Sequence, residues 1–92
     1  MNKLLLDEAK KLLENGDYFL AKNRAQELIS TNYDDIALWE IISEAEVNLK
    51  ESADFSHSRL IEIYLRNKQP SKAMDTLDKL IKVNPEFNFR YF

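Results

Sequence analysis

One glycine and two prolines in 92 residues leave this chain few places to turn, so it is built from long elements with short joints. Between those breakers the apolar residues recur at the 3.6-residue helical period, and only the tail shows period two. Five helices are expected. The first, over 2–15, places Leu5, Ala9 and Leu12 on one stripe, with Leu4 and Leu13 beside it. Gly16 ends it, because glycine accepts the left-handed conformation at a helix terminus, and Asp17 offers a cap to the next. The second, over 18–31, aligns Ala21, Ala25, Leu28 and Ile29 and stops at Ser30-Thr31-Asn32. Asp34 or Asp35 caps the third, over 35–50, which carries Leu38, Trp39, Ile42, Ala45 and Leu49. Ser52, Asp54 and Ser56 mark the next joint, and the fourth, over 55–68, holds Leu60, Ile61, Tyr64 and Leu65. Gln69-Pro70-Ser71 turns the chain into the fifth, over 71–83, with Ala73, Leu77, Leu80 and Ile81. That helix stops before Asn84-Pro85, since the residue before proline avoids helical angles. The fold class is all-α: a single domain of five antiparallel helices stacked as hairpins.

Composition agrees that the chain collapses. Leu, Ile, Val and Phe number 27, or 29% of the residues, above the roughly 20% that marks disorder. The longest apolar run is Ile36-Ala37-Leu38-Trp39, far short of the about 20 residues that span a bilayer. The first residues mix Lys3 with Asp7 and Glu8 and show no apolar signal core, so the expected location is cytoplasmic. Five acid-to-base pairs sit four residues apart: Asp7–Lys11, Glu46–Lys50, Glu62–Arg66, Asp75–Lys79 and Asp78–Lys82. Each is expected to support its own helix by about 0.2–0.5 kcal/mol.

The inventory for chemistry is thin. Without cysteine there is no thiolate nucleophile, disulfide or Cys-based zinc site. His57 is the single histidine, and Asp54, three residues before it, supplies at best a second ligand where a metal needs three or four. Asp54 reads better as a helix cap, and Glu40 and Glu44, one turn apart with Glu46 nearby, read as a solvated face. One glycine rules out a phosphate-cradling loop. No catalytic residue, metal site or cofactor is expected. With 13 basic and 16 acidic residues the net charge is −3, and the basic residues are dispersed, which argues against nucleic acid. No helix has the predominantly basic face that binds a membrane surface. Charge is asymmetric, net −4 over 1–50 and +1 over 51–92, which can orient a partner or a second copy.

Small residues recur where helices must approach closely, and here the chain resembles the tetratricopeptide repeat. That helix-turn-helix unit of roughly 34 residues follows the pattern W-x2-L-G-x2-Y, then A, F, A and P. Leu60, Tyr64, Ala73, Leu77 and Pro85 match in the second half; Leu5, Ala9, Leu12, Gly16, Ala21 and Leu28 match in the first. Trp39 and Ile42 begin another unit as W-x2-L, and the resemblance covers 2–86. Ser43 and Ile61 stand where the repeat has glycine, and Glu46 where it has tyrosine. Ala21 and Ala73 lie 52 residues apart, one and a half repeats. Either the fourth helix completes a second repeat, or the third is an extra helix between two hairpins; the count is two repeats or two and a half.

The resemblance implies a concave surface lined by the first helix of each hairpin. Its positions fall on Lys3, Leu6, Lys10 and Leu13, on Glu40, Glu44, Val47 and Asn48, and, if the fourth helix is a first helix, on Glu62, Leu65 and Arg66. It implies a non-enzymatic adaptor that holds a peptide or protein segment. The family's clamp for acidic tails needs converging Lys, Asn and Arg; Lys10 and Asn48 suit it, but Glu40 and Glu44 oppose it. The expected partner is therefore an extended or helical segment with basic character and apolar anchors. The alternatives are a self-assembling structural subunit or a dedicated chaperone of the kind used in bacterial secretion. Phe87, Phe89, Tyr91 and Phe92 are expected either to fold back over the fifth helix as a cap or to bind another subunit.

Overall fold

The computed structural model describes residues 3–87, so Phe89, Tyr91 and Phe92 lie outside the described residues. The described residues form five helices and no strand: α1 (Lys3–Glu14), α2 (Tyr18–Ile29), α3 (Ile36–Asn48), α4 (Asp54–Arg66) and α5 (Pro70–Val83). Each helix packs on its chain neighbour, and α1 also touches α3. The all-α hairpin fold follows.

Three of the helices end the same way. Gly16, Lys50 and Lys68 take the left-handed conformation, with φ of 81°, 62° and 58°. In each case the next amide reaches back to the carbonyl five residues earlier: Asp17 to Leu12, Glu51 to Glu46 and Gln69 to Tyr64. These are Schellman ends, which satisfy carbonyls the helix leaves open. They explain why α3 and α4 stop two residues short of the expected limits, at Asn48 and Arg66. Helix α2 also stops two residues early, at Ile29, because polar side chains compete for its last carbonyls. Ser30 donates to Glu27 O at 2.8 Å and Asn32 to Leu28 O at 2.9 Å.

The caps differ from expectation in two places. Asp35 does cap α3, accepting from Leu38 N at 3.1 Å. Asp17 precedes α2 but its side chain makes no cap bond. Asp54 is the first residue of α4 rather than its cap, and its two oxygens accept from Asn84 Nδ2 at 3.1 and 3.0 Å. That bond ties the start of α4 to the end of α5.

The two hairpins with three-residue joints are copies at the level of the backbone. Amides of Asn15, Gly16, Asp17 and Ala21 donate to Lys11, Leu13, Leu12 and Asp17. Moved along by 52 positions, the same four bonds join Asn67, Lys68, Gln69 and Ala73 to Ile63, Leu65, Tyr64 and Gln69. The offset matches the Ala21–Ala73 spacing and sets α1–α2 and α4–α5 as equivalent units, with α3 between them.

The core is uneven. In the first hairpin the buried residues are Ala9, Ala21 and Ala25, while Leu6, Leu12, Leu13, Leu28 and Ile29 are half-buried against the cluster. Helix α3 buries Leu38, Trp39, Ile41, Ile42 and Ala45, side chains that point to several sides, as expected of a central helix. Helices α4 and α5 add Leu60, Ile61, Ile63, Tyr64, Ala73 and Leu80, and Phe87 joins them at the end of the described chain. Leu5, Leu65 and Ile81 sit on the expected stripes but are exposed, since no helix lies against their side.

None of the five four-residue ion pairs forms. Other charges pair across the fold, Lys22 with Glu46 and Glu51 at 3.2 and 2.9 Å and Arg24 with Glu8 at 3.3 Å, while Arg24–Glu27 and Arg59–Glu62 pair three positions apart within a helix. Lys22 and Glu46 are largely shielded from water, where an ion pair is stronger than on an open helix face. Burial would lower the Lys22 ammonium, but hydrogen bonds to Glu51 and Glu46 outweigh it and hold it above its ordinary value.

Candidate functional site

The eleven residues that the resemblance assigns to a groove fall on three surfaces. On α1, Lys3 and Lys10 are exposed, while Leu6 and Leu13 pack against the core. Lys10 faces a shallow hollow lined by α1 itself, with Leu4, Asp7 and Lys11. On α4, Glu62, Leu65 and Arg66 share the outer side of the helix, over a hollow of about 860 Å³. The four α3 residues, Glu40, Glu44, Val47 and Asn48, line a cleft of about 520 Å³ with parts of α4 and α5.

That cleft exists because α5 packs on α4 and not as a layer on α3. Helix α4 supplies its floor through His57, Leu60 and Tyr64; α5 supplies the far wall through Thr76, Lys79, Lys82 and Val83. Several polar groups are tied down within their own helices. Ser43 donates to Glu40 O at 3.1 Å, Asn48 to Glu44 O at 2.9 Å, and Thr76 to Lys72 O at 2.8 Å. Tyr64 donates its hydroxyl to Glu40 Oε1 at 2.9 Å, bridging the floor to the α3 wall. Burial pushes the Tyr64 phenol up to about 12, and the Glu40 carboxylate adds to it, so the hydroxyl keeps its proton.

His57 is buried, and its Nδ1 donates to Ala53 O at 2.8 Å, which leaves Nε2 as the acceptor. Burial lowers its pKa, and the nearby Lys79 acts in the same direction, so the ring is neutral. The carboxylate of Glu44 and the ammoniums of Lys79 and Lys82 form no ion pair. The cleft thus presents an acidic wall, a basic wall and a floor that is apolar at Leu60. Among the described residues no three His, Asp or Glu side chains converge as metal ligands would.

The outer side of α4 is built around Arg59. Its guanidinium lies 4.2 Å from the centre of the Tyr33 ring and 6.0 Å from that of Trp39, and donates to Asp34 at 2.9 Å and Glu62 at 2.8 Å. Its Nε is buried without a hydrogen-bond partner. Trp39 donates Nε1 to Tyr33 O at 2.6 Å and meets Tyr33 and Phe55 edge-on, each at 5.7 Å. Asp34 also accepts from Arg66 at 3.0 Å, and that bond holds its carboxyl below the usual range. Together these contacts fasten the 30–35 link to α4. Beside them Phe55 and Leu65 are 64% and 55% exposed, an uncovered apolar pair.

The sequence reading missed the α5 wall, because the resemblance gives groove positions only to the first helix of a hairpin. The spacing of Thr76, Lys79, Lys82 and Val83 at three, three and one residues was the available signal. It also missed Arg59, whose partners Tyr33, Asp34 and Trp39 are 20 or more positions away. No family model, no curated protein and no solved structure matches the chain.

Proposed function

We propose that this chain is a non-enzymatic, tetratricopeptide-like adaptor of the cytoplasm that holds a segment of another protein in the cleft between α3 and α5. The observation that supports the reading is a cleft with uncommitted charges of opposite sign on facing walls, Glu44 against Lys79 and Lys82, over Leu60 and Val47. Such a surface selects a polypeptide that turns basic side chains to α3, acidic ones to α5 and an apolar one to the floor. Charge of this kind sets orientation and speeds encounter more than it adds affinity, and a cleft this small implies modest binding.

Selection from a random peptide display library on the immobilised chain tests it. Wild type should enrich peptides with basic residues, and Glu44→Lys, or Glu40→Lys with Glu44→Lys, should lose them. A library that comes through wild type unenriched, or that yields the same peptides from wild type and Glu44→Lys, removes this cleft as the site.

A further inference from the structure

The outer side of α4 has a symmetry that the peptide cleft does not use. Besides Ser52 and the centrally placed Arg59, its hollow is lined by Asp54, Phe55 and Ser58 near the start of the helix and by Glu62, Leu65 and Arg66 near its end, and these last six carry the symmetry. These are matched about position 60: 54 with 66, 55 with 65 and 58 with 62. Each match is also a chemical complement, acid with base, ring with aliphatic, hydroxyl with carboxylate. A surface that complements its own reversed copy is what a two-fold interface requires, because there residue i of one copy meets residue j of the other and j meets i. The side chains keep capacity to do so: Glu62 accepts from Arg59 through Oε2 and has Oε1 left for a further donor. Phe55 and Leu65 are exposed, and Arg66 spends Nη2 on Asp34 while its other nitrogens make no bond. The carboxylate of Asp54 accepts only from Asn84 and has capacity left.

We propose that two copies of this chain pair through α4, antiparallel about position 60. Phe55 of each copy covers Leu65 of the other, Arg66 meets the opposing Asp54, and Ser58 donates to the opposing Glu62. The Tyr33, Trp39 and Arg59 cluster behind Phe55 supplies the rigid backing, since it fixes α4 to the 30–35 link. The cleft floor, His57, Leu60 and Tyr64, is on the opposite side of the same helix, so pairing leaves both clefts open and the dimer is bivalent. The inference is independent of whether the cleft binds anything. One helix per copy buries less than the roughly 800 Å² per partner of a standard interface, so the association is weak.

Sedimentation equilibrium of the full chain, up to about 1 mM, reads it directly, because dissociation constants of roughly 10 µM to 1 mM are those expected of interfaces this small. The expected result is a rise from 10.8 kDa toward twice that mass. Leu65→Asp should keep the mass at the monomer value with unchanged helical circular dichroism, since Leu65 is exposed. The register is tested by disulfides, for which the cysteine-free chain is suited. A mixture of Ser58→Cys and Glu62→Cys chains should cross-link to the mixed dimer several-fold faster than either variant alone. A monomer at all concentrations overturns the proposal and leaves the strip to a different protein. So does a Leu65→Asp chain that still doubles its mass, or a mixture that cross-links no faster than its parts.

Discussion

The hairpins α1–α2 and α4–α5 close through the same four backbone hydrogen bonds, 52 positions apart, yet their interiors are filled in opposite ways. The first is fully buried only at the alanines 9, 21 and 25, and its larger apolar side chains, such as Leu12 and Leu28, are half-buried beside them. The second buries Leu60, Ile61, Tyr64 and Leu80, and α3 presses further large side chains onto it. Burial of a large apolar side chain is worth about 1.5–3 kcal/mol, so most of the stability resides in α3–α5. A shared joint therefore fixes the path of the chain and not the strength of the unit. The cleft sits where the core is deepest, and the first hairpin covers the exposed side of α3.

Equivalent positions allow that contrast to be broken. Leu28 and Leu80 correspond under the 52-residue shift, but Leu28 is half-buried and Leu80 fully buried. Leu80→Ala should cost about 2–5 kcal/mol in urea unfolding, and Leu28→Ala markedly less. Equal losses would show that the two interiors carry equal weight. The reverse experiment enlarges a contact: Ala25 corresponds to Leu77 of the second hairpin. Ala25→Leu should cost about 1–3 kcal/mol, because the alanine interface has no room, and it should do so without changing α4–α5 amide shifts.

The third test uses pH. His57 has Leu5 as its counterpart, so only the second hairpin holds a buried histidine. Its folded pKa is below the unfolded 6.5, so the unfolded chain takes up the proton first as pH falls. Stability is complete above pH 6.5 and declines below it, by at most about 1.4 kcal/mol per pH unit. His57→Gln should flatten that slope near pH 6. An unchanged slope would assign it to other groups. Asp34 acts only in stronger acid, below its ordinary 3.8, where its bonds to Arg66 and Arg59 fail as it protonates.

The smallest effect concerns the joints themselves. Lys68 takes a left-handed φ of 58° where the first hairpin has Gly16. Left-handed geometry costs a side chain about 1–2 kcal/mol, partly offset by the greater freedom of glycine in the unfolded chain. Lys68→Gly should gain about 0.5 kcal/mol in melting experiments, and Gly16→Ala should lose about 1 kcal/mol. No atom lies within 4 Å of a Cβ placed on Gly16, so the loss would be conformational rather than steric.

Much of this architecture was legible from residue order. Period 3.6 located all five helices, Gly16 announced its turn, and Ala21 with Ala73 announced the offset. Lys50 and Lys68 did not announce theirs, because a left-handed lysine at a Schellman end leaves no compositional mark. The charge pairs misled for a different reason. Asp7–Lys11 and its fellows satisfy a local spacing, but Lys22 and Arg59 pair with carboxylates distant in the chain, Glu46, Glu51 and Asp34, and those are invisible to a local pattern. Glu40, Glu44, Val47 and Asn48, assigned together by the resemblance, do line one cleft, whereas Leu6 and Leu13, assigned by the same resemblance, pack against the core. Lys79 and Lys82 could not be placed in that cleft, since their role depends on how α5 lies across α4.

The most direct measurement is native-state hydrogen exchange, residue by residue, at low denaturant. If α3–α5 form the stable body that carries the cleft, amides of α3 and α4 should exchange only on global unfolding, and those of α1 through a sub-global opening of lower free energy. Equal protection of α1 and α4, or earlier exchange in α4, would contradict the division of the molecule described above.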